Sequence, residues 1–166
     1  LILNCRENQL VWYKKTTFPK EFNPIKILKE IELVYEKEEF IQNLIEEVML
    51  LFSNDLYSIV PEEYFIEEEA SNYLKFNTKI LKTDVVAHDF IEANNLVNVY
   101  IPYTNITNYF FDKYGEFEYK HSISVFAEAI LSLEKSLLPK VYLNNFKDYY
   151  DLVIVQNGKL LLSNSF

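Results

Sequence analysis

Glycine is nearly absent: Gly115 and Gly158 are the only two in 166 residues, where average usage near 7% predicts about twelve. A phosphate-cradling loop needs glycines so that backbone N–H groups can close on the anion. Neither G-x-x-x-x-G-K-[ST] nor G-x-G-x-x-G can therefore be written anywhere in the chain. Cysteine is reduced to Cys5 alone, which forbids an intramolecular disulfide, and no Cys/His spacing points to zinc. A reducing cytoplasm is the expected setting. The longest unbroken apolar run, Val48 to Phe52, falls far short of the roughly 20 residues a membrane helix needs. Positive charge is scarce too, with 16 Lys and Arg against 25 Asp and Glu and a net charge of −9. Nucleic-acid binding rests on neutralising phosphates, so no nucleic-acid partner is expected, and no membrane partner.

Aromatic residues are abundant, with thirteen Tyr and thirteen Phe making up most of a 16% share. Read with the acidity, they belong to the core and the sheet faces rather than to base stacking. The chain starts and stops inside strand-like runs, at Leu1 and at Leu160 to Phe166. It is expected to be a fragment of a longer protein, and no signal peptide is read.

Hydrophobic periodicity and turn residues predict an α+β, α/β-like fold. Leu1 to Cys5 and Leu10 to Phe18 form a first hairpin. Asn23 caps a helix over 24–39 that begins at Pro24. Val48 to Phe52 and Leu56 to Val60 read as a second hairpin around Ser53-Asn54-Asp55, although 41–48 also suits a helix. Pro61 opens an acidic helical stretch through Glu69, which Ala70 to Phe76 extends. Val85 to Glu92 and Leu96 to Ile101 form a third hairpin. A helix from Tyr103 to Tyr114 ends at Gly115. Phe117 to His121 is a short strand, and Ser122 or Ser124 caps a helix that Pro139 ends. Strands follow at 140–145, 149–156 and 159–166, the last two joined by the hairpin signal Asn157-Gly158. Leu1 to Phe18 and Leu152 to Phe166 echo each other as strand, polar turn, strand, which suits a duplicated hairpin or a chance match equally.

Catalytic patterns are missing. His88 and His121 are the only histidines. Asp84, His88, Asp89 and Glu92 form one dense group of possible ligands, three of them on one face of a strand, but the outer two fall at strand ends where water satisfies them. Cys5 reads as a buried strand thiol, since Arg6 and Glu7 offer no electropositive setting. Glu62-Glu63 and Glu67-Glu68-Glu69 read as solvated helix, because consecutive helical residues point in different directions. Asn105-Ile106-Thr107 matches a glycosylation acceptor only as a chance tripeptide. No catalytic, cofactor-binding or metal residue is assigned.

Several strings together carry a resemblance: Val60-Pro61-Glu62-Glu63-Tyr64-Phe65, Tyr73-Leu74-Lys75-Phe76-Asn77, Asn98-Val99-Tyr100-Ile101-Pro102, Gly158-Lys159-Leu160-Leu161-Leu162 and Asn164-Ser165-Phe166. Through most of its length the chain resembles an uncharacterised Bacteroidota family, domain of unknown function 3822, with an actin-like, ribonuclease-H-like fold of two related lobes. The resemblance implies a first lobe over 1–139, lacking its first strand and holding a hairpin-rich insertion at about 54–115. The first strands of a second lobe would follow over 140–166. Actin-like ATPases grip phosphates with glycine-bearing turns, an acidic residue nearby holding the metal. The equivalent second-lobe turn here, near Asn144-Asn145-Phe146-Lys147-Asp148, contains no glycine. The expectation is a non-enzymatic scaffold making protein contacts, with no cofactor. The alternative is an ATP-binding or ATP-hydrolysing protein whose phosphate loops lie outside 1–166. The partner surface is expected at Glu62, Glu63, Glu67, Tyr73 and Phe76.

Overall fold

A computed structural model of the chain describes residues 1–7, 9–18, 22–38, 45–75, 79–81 and 83–166. They fall into two compact units, Leu1–Leu44 and Ile45–Phe166.

In the first unit, β1 (Ile2–Arg6) and β2 (Gln9–Lys14) pair antiparallel, Ile2 opposite Lys14 and Arg6 opposite Gln9. The helix α1 (Pro24–Lys37) starts where the Asn-Pro pair predicts, with Asn23 Oδ1 accepting from the Lys26 N–H at 3.0 Å. That bond satisfies one of the orphan donors of the first turn. Cys5 departs from expectation, because it is exposed. Alternation along β1 turns Ile2 and Asn4 to the half-buried face and Leu3 and Cys5 to the exposed one.

Among the described residues the second unit holds three sheets. β3 (Met49–Phe52) and β7 (Glu118–His121) pair in parallel, Met49 opposite Glu118 and Phe52 opposite His121. β4 (Tyr57–Pro61), β5 (Ala87–Ile91) and β6 (Leu96–Tyr100) form an antiparallel sheet with β6 in the middle. β8 (Lys140–Asn145), β9 (Tyr150–Gln156) and β10 (Lys159–Ser165) form a meander. The expected hairpin of 48–52 with 56–60 is therefore wrong. The two runs belong to different sheets, and Asn54 makes the corner between them. Its Oδ1 accepts from the Leu56 N–H at 2.9 Å and its Nδ2 donates to the Ile101 carbonyl at 3.1 Å, an Asx turn that carries the chain onward instead of back.

β6 is buried along most of its length, with Val97, Asn98, Val99 and Tyr100 all at 0% exposure. One face packs with Leu74, Ile101 and the partly buried Phe65 and Tyr73. The acidic stretch on that side is not one helix. Two 3-10 turns, Glu62–Tyr64 and Glu67–Glu69, precede the short helix α2 (Ala70–Leu74). Between them Phe65 and Ile66 are extended, because the Phe65 side chain reaches the core cluster. Phe76 lies outside the described residues.

The helix α3 (Thr104–Tyr114) ends at Gly115, whose N–H donates to the Phe111 carbonyl at 2.8 Å. Gly115 has φ 76° and ψ −140°, a conformation close to glycine-only. A Cβ there would meet nothing within 4 Å, so a substitution acts through the backbone alone. We expect Gly115→Ala to lower stability by about 1–2 kcal/mol, read as a shifted urea midpoint. An unchanged midpoint would contradict the assigned backbone conformation.

The helix α4 (Ser122–Leu133) follows β7 directly. Its N-cap is His121, not Ser122 or Ser124, and it stops well before Pro139. Glu134 ends it, its backbone extended and its carboxylate accepting from the Ser136 N–H at 2.7 Å and from the Tyr142 hydroxyl. The Asn157-Gly158 turn closes the β9–β10 hairpin with φ values of 51° and 69°, as predicted. No described helix is long and apolar enough to cross a membrane.

Candidate functional site

The densest polar chemistry in the second unit lies at the N-terminal end of α4. Alternation in β5 turns His88 and Phe90 to one face and Asp89 and Ile91 to the other, where α4 packs. Asp89 is 8% exposed and receives three donors. Its Oδ2 accepts from the His121 N–H at 2.8 Å and the Ser124 hydroxyl at 2.6 Å. Its Oδ1 accepts from the Tyr100 hydroxyl at 3.1 Å. The first turn of a helix carries partial positive charge, which favours a carboxylate there. Burial and the Asp89 charge raise the Tyr100 phenol far above its ordinary value, so it remains a donor. Ser124 Oγ also accepts from Asn98 Nδ2 at 2.9 Å. Asn98 Oδ1 is buried with no hydrogen-bond partner among the described residues.

His121 adjoins this network and is 1% exposed. Its Nδ1 accepts from the Ile123 N–H at 3.2 Å, which assigns the ring proton to Nε2, and Nε2 donates to the Asn54 carbonyl at 3.2 Å. The rings of Tyr57 and Tyr100 lie 5.0 and 5.3 Å away. Burial pulls the imidazole pKa down to about 4, opposed only by the Asn54 carbonyl. Both ring nitrogens are thus occupied and the ring is neutral at pH 7.

A second chain of hydroxyls joins the corner after β3 to the β8–β10 meander. Ser122 Oγ donates to Ser53 Oγ at 3.0 Å, and Ser53 Oγ shares a hydrogen bond of 2.6 Å with the Tyr149 hydroxyl. Ser165 Oγ lies 2.7 Å from Asp151 Oδ1 and 3.2 Å from the Tyr57 hydroxyl. Burial raises the Asp151 carboxyl, opposed by Ser165 and Asn144. The turn between β8 and β9 is closed by Phe146 and Tyr149, stacked at 4.3 Å with 12° between their planes.

The four residues grouped as possible ligands are dispersed. Asp84 accepts from the Leu81 N–H at 2.7 Å. His88 sits among rings, 4.9 Å from Phe65 and 5.4 Å from Phe90. Asp89 faces the core, and Glu92 opens a 3-10 turn (Glu92–Asn94). Among the described residues no three Asp, Glu, His or Cys side chains converge on one point.

Of the expected partner surface, Glu62, Glu63 and Glu67 are exposed. Tyr73 is half-buried, its hydroxyl donating to the Tyr64 carbonyl at 2.6 Å and accepting from the Ile66 N–H at 3.0 Å. The exposed apolar groups nearby are Tyr64, Ile66 and Phe90. Phe90 stands edge-on to Phe65 at 6.5 Å, making one aromatic patch with His88. Alternation along β5 held the signal for Phe90, but its pairing with Phe65 is a tertiary contact.

This arrangement has a solved counterpart in fold. A 1.85 Å crystal structure of a Bacteroides thetaiotaomicron protein of unknown function, with an actin-like ATPase fold, superposes with a TM-score of 0.82 at 19% identity. The likeness covers 95% of this chain and 60% of that one. The chain thus has an actin-like fold and spans about three fifths of the length of that relative. Residues 1–166 match the family of proteins of unknown function DUF3822, and the chain belongs to it. No curated protein matches the chain.

Proposed function

We propose that this chain is part of an actin-like scaffold that makes protein contacts and does not turn over nucleotide. The observation that carries the reading is the β8–β9 turn. In an actin-like ATPase the corresponding turn offers glycine N–H groups to phosphate; here Phe146 stacks on Tyr149 and Tyr149 is bonded to Ser53. The reading takes 1–139 as a first lobe, with the strands between β3 and β7 as its insertion, and 140–166 as the start of a second. It takes the setting as cytoplasmic, which suits a single free thiol.

The groups able to do chemistry also serve the fold. Asp89 is saturated by donors, and both nitrogens of His121 are used. What faces water instead is Phe90, exposed beside the half-buried rings of Phe65 and His88, with Tyr64 and the acids Glu62, Glu63 and Glu67 near Phe65 in the chain. Aromatic anchors bordered by charge are the composition of protein interfaces.

Two measurements test this. Calorimetric titration of magnesium ATP into the full-length protein should give no heat at millimolar nucleotide, and saturable micromolar binding would restore the ATPase alternative. A photo-crosslinking residue at position 90 should capture a defined protein in cells, whereas one at the exposed Val125 should not. Equal capture at both positions would dismiss the surface.

A further inference from the structure

Among the described residues, two unpaired sheet edges line one groove in the second unit. β4 is the outer strand of one sheet and β10 the outer strand of another, and residues of both line a groove of about 610 Å³. Which peptide groups face it follows from the hydrogen-bond parity of antiparallel ladders. The Ile101 N–H donates to the Leu56 carbonyl and the Glu62 N–H to the Asn95 carbonyl. With the register Ser58↔Val99 and Val60↔Val97, even-numbered residues of β4 bond inward. Tyr57, Ile59 and Pro61 direct their backbone outward. On β10, Phe166 and Tyr150 exchange both bonds at 2.9 Å, and the register Asn164↔Leu152 and Leu162↔Ile154 continues that pairing. Ser163 and Ser165 therefore face outward too.

The edges run antiparallel. At one end Ser165 Oγ meets the Tyr57 hydroxyl. At the other, Asn94 on the β5–β6 turn accepts from the Leu160 N–H at 2.9 Å and donates to the Gly158 carbonyl at 3.1 Å, which sets the start of β10 beside Pro61 and Leu96. Both walls thus present main-chain donors and acceptors at strand spacing. Of the residues lining the groove, only Asp55 is charged.

We propose that this groove takes an extended peptide strand from a partner protein, hydrogen-bonded to the outward edges of both β4 and β10, with a basic residue opposite Asp55. The assignment rests on the protein-contact reading above and names its recognition mode, strand addition. The occupant needs both of its own edges free. Each described strand of this chain already has a paired edge, so an ordered strand of a second copy does not qualify. A net charge of −9 opposes self-association and favours a basic partner. Once seated, the strand joins the two three-stranded sheets through itself, antiparallel to one edge and parallel to the other.

The probe is an acetylated, amidated seven-residue peptide of one lysine followed by alternating valine and threonine, titrated into the isotope-labelled full-length protein and followed by amide shifts. Saturable shifts centred on 57–61 and 160–165 are expected. Methylating alternate peptide nitrogens should weaken binding about tenfold, the loss expected when one or two hydrogen bonds go. Ile59→Pro and Ser163→Pro each remove an outward N–H without touching a ladder bond and should weaken binding similarly while the rest of the spectrum is kept. The proposal is overturned by no saturable shift at millimolar peptide, by equal binding of the methylated peptide, by shifts confined to Phe65, His88 and Phe90, or by concentration-dependent shifts in these strands without peptide. Crosslinking at position 90 with no strand binding would retain the protein-contact reading and remove this one alone.

Discussion

Asp89→Ala should lower the stability of the protein by about 3–5 kcal/mol, the largest loss expected from any single change outside the apolar core. The carboxylate is the shared acceptor for the His121 N–H, the Ser124 hydroxyl and the Tyr100 hydroxyl. Alanine strands all three in a space closed to water, and each buried unsatisfied donor costs about 1–3 kcal/mol. Some of that is recovered, because the hydroxyls of Ser124 and Tyr100 can rotate; the His121 N–H cannot. Asp89→Asn should cost about 2 kcal/mol, since its amide group would set one N–H pair against donors already aimed at that site. Urea unfolding measures both. With a slope of roughly 1–3 kcal/mol per molar, the alanine variant should unfold more than about 1 M earlier. A double-mutant cycle with Ser124→Ala should show strong coupling, because both partners share one hydrogen bond. A loss below about 1 kcal/mol for Asp89→Ala would mean that water replaces the carboxylate and that this network does not hold α4 to β5.

The features legible beforehand are those written in adjacent residues. Asn23-Pro24 marks the start of α1 because the cap and the first-turn proline act within four residues. Asn157-Gly158 marks its hairpin because two consecutive residues must take positive φ. Gly115 marks the end of α3 for a similar reason. What failed depends on partners far away in the chain. Phe52 lies opposite His121, and nothing within five residues of β3 says that its neighbour comes after three further strands and two helices. The apolar runs around Ser53-Asn54-Asp55 imitate a hairpin until the Asn54 side chain is seen to bond Ile101.

The same division runs through the candidate site. Exposure of Glu62, Glu63 and Glu67 could be read from a run of like charge. The role of Tyr73 could not, because its hydroxyl closes a turn whose path depends on Phe65 being pulled into the core. Asn98 alternates with Val97 and Val99 in the pattern of a half-exposed strand. It is fully buried because β6 is central and covered on both faces, a fact of sheet order that alternation alone does not contain. His121 was one of two histidines with no evident task, and its capping role needed β7 to run directly into α4.

That capping role makes stability pH-dependent between pH 6.5 and about 4. In the folded protein His121 has its pKa lowered to about 4 by burial, whereas in the unfolded chain it titrates near 6.5. The unfolded state therefore binds the proton first, and stability falls as pH drops through this window. The contribution is fully present above the unfolded pKa, declines from there, and is gone once pH passes the folded pKa. A separation of that size corresponds to about 3 kcal/mol. A structural reason accompanies the electrostatic one, because a proton on Nδ1 would face the Ile123 N–H that it now accepts. Asp151 acts in the opposite sense. Burial raises its carboxyl, so the folded state takes up that proton first and gains stability as pH falls through the raised value toward the ordinary one. The comparison that isolates the imidazole is His121→Asn, which retains a side-chain acceptor for the helix cap and removes the titration. Urea unfolding at pH 7 and pH 5 should show wild type losing about 2 kcal/mol more than the variant over that interval, whatever the variant's stability at pH 7. Parallel pH profiles for the two proteins would show that His121 is reached by water in the folded state and that its ring is not held in the neutral form.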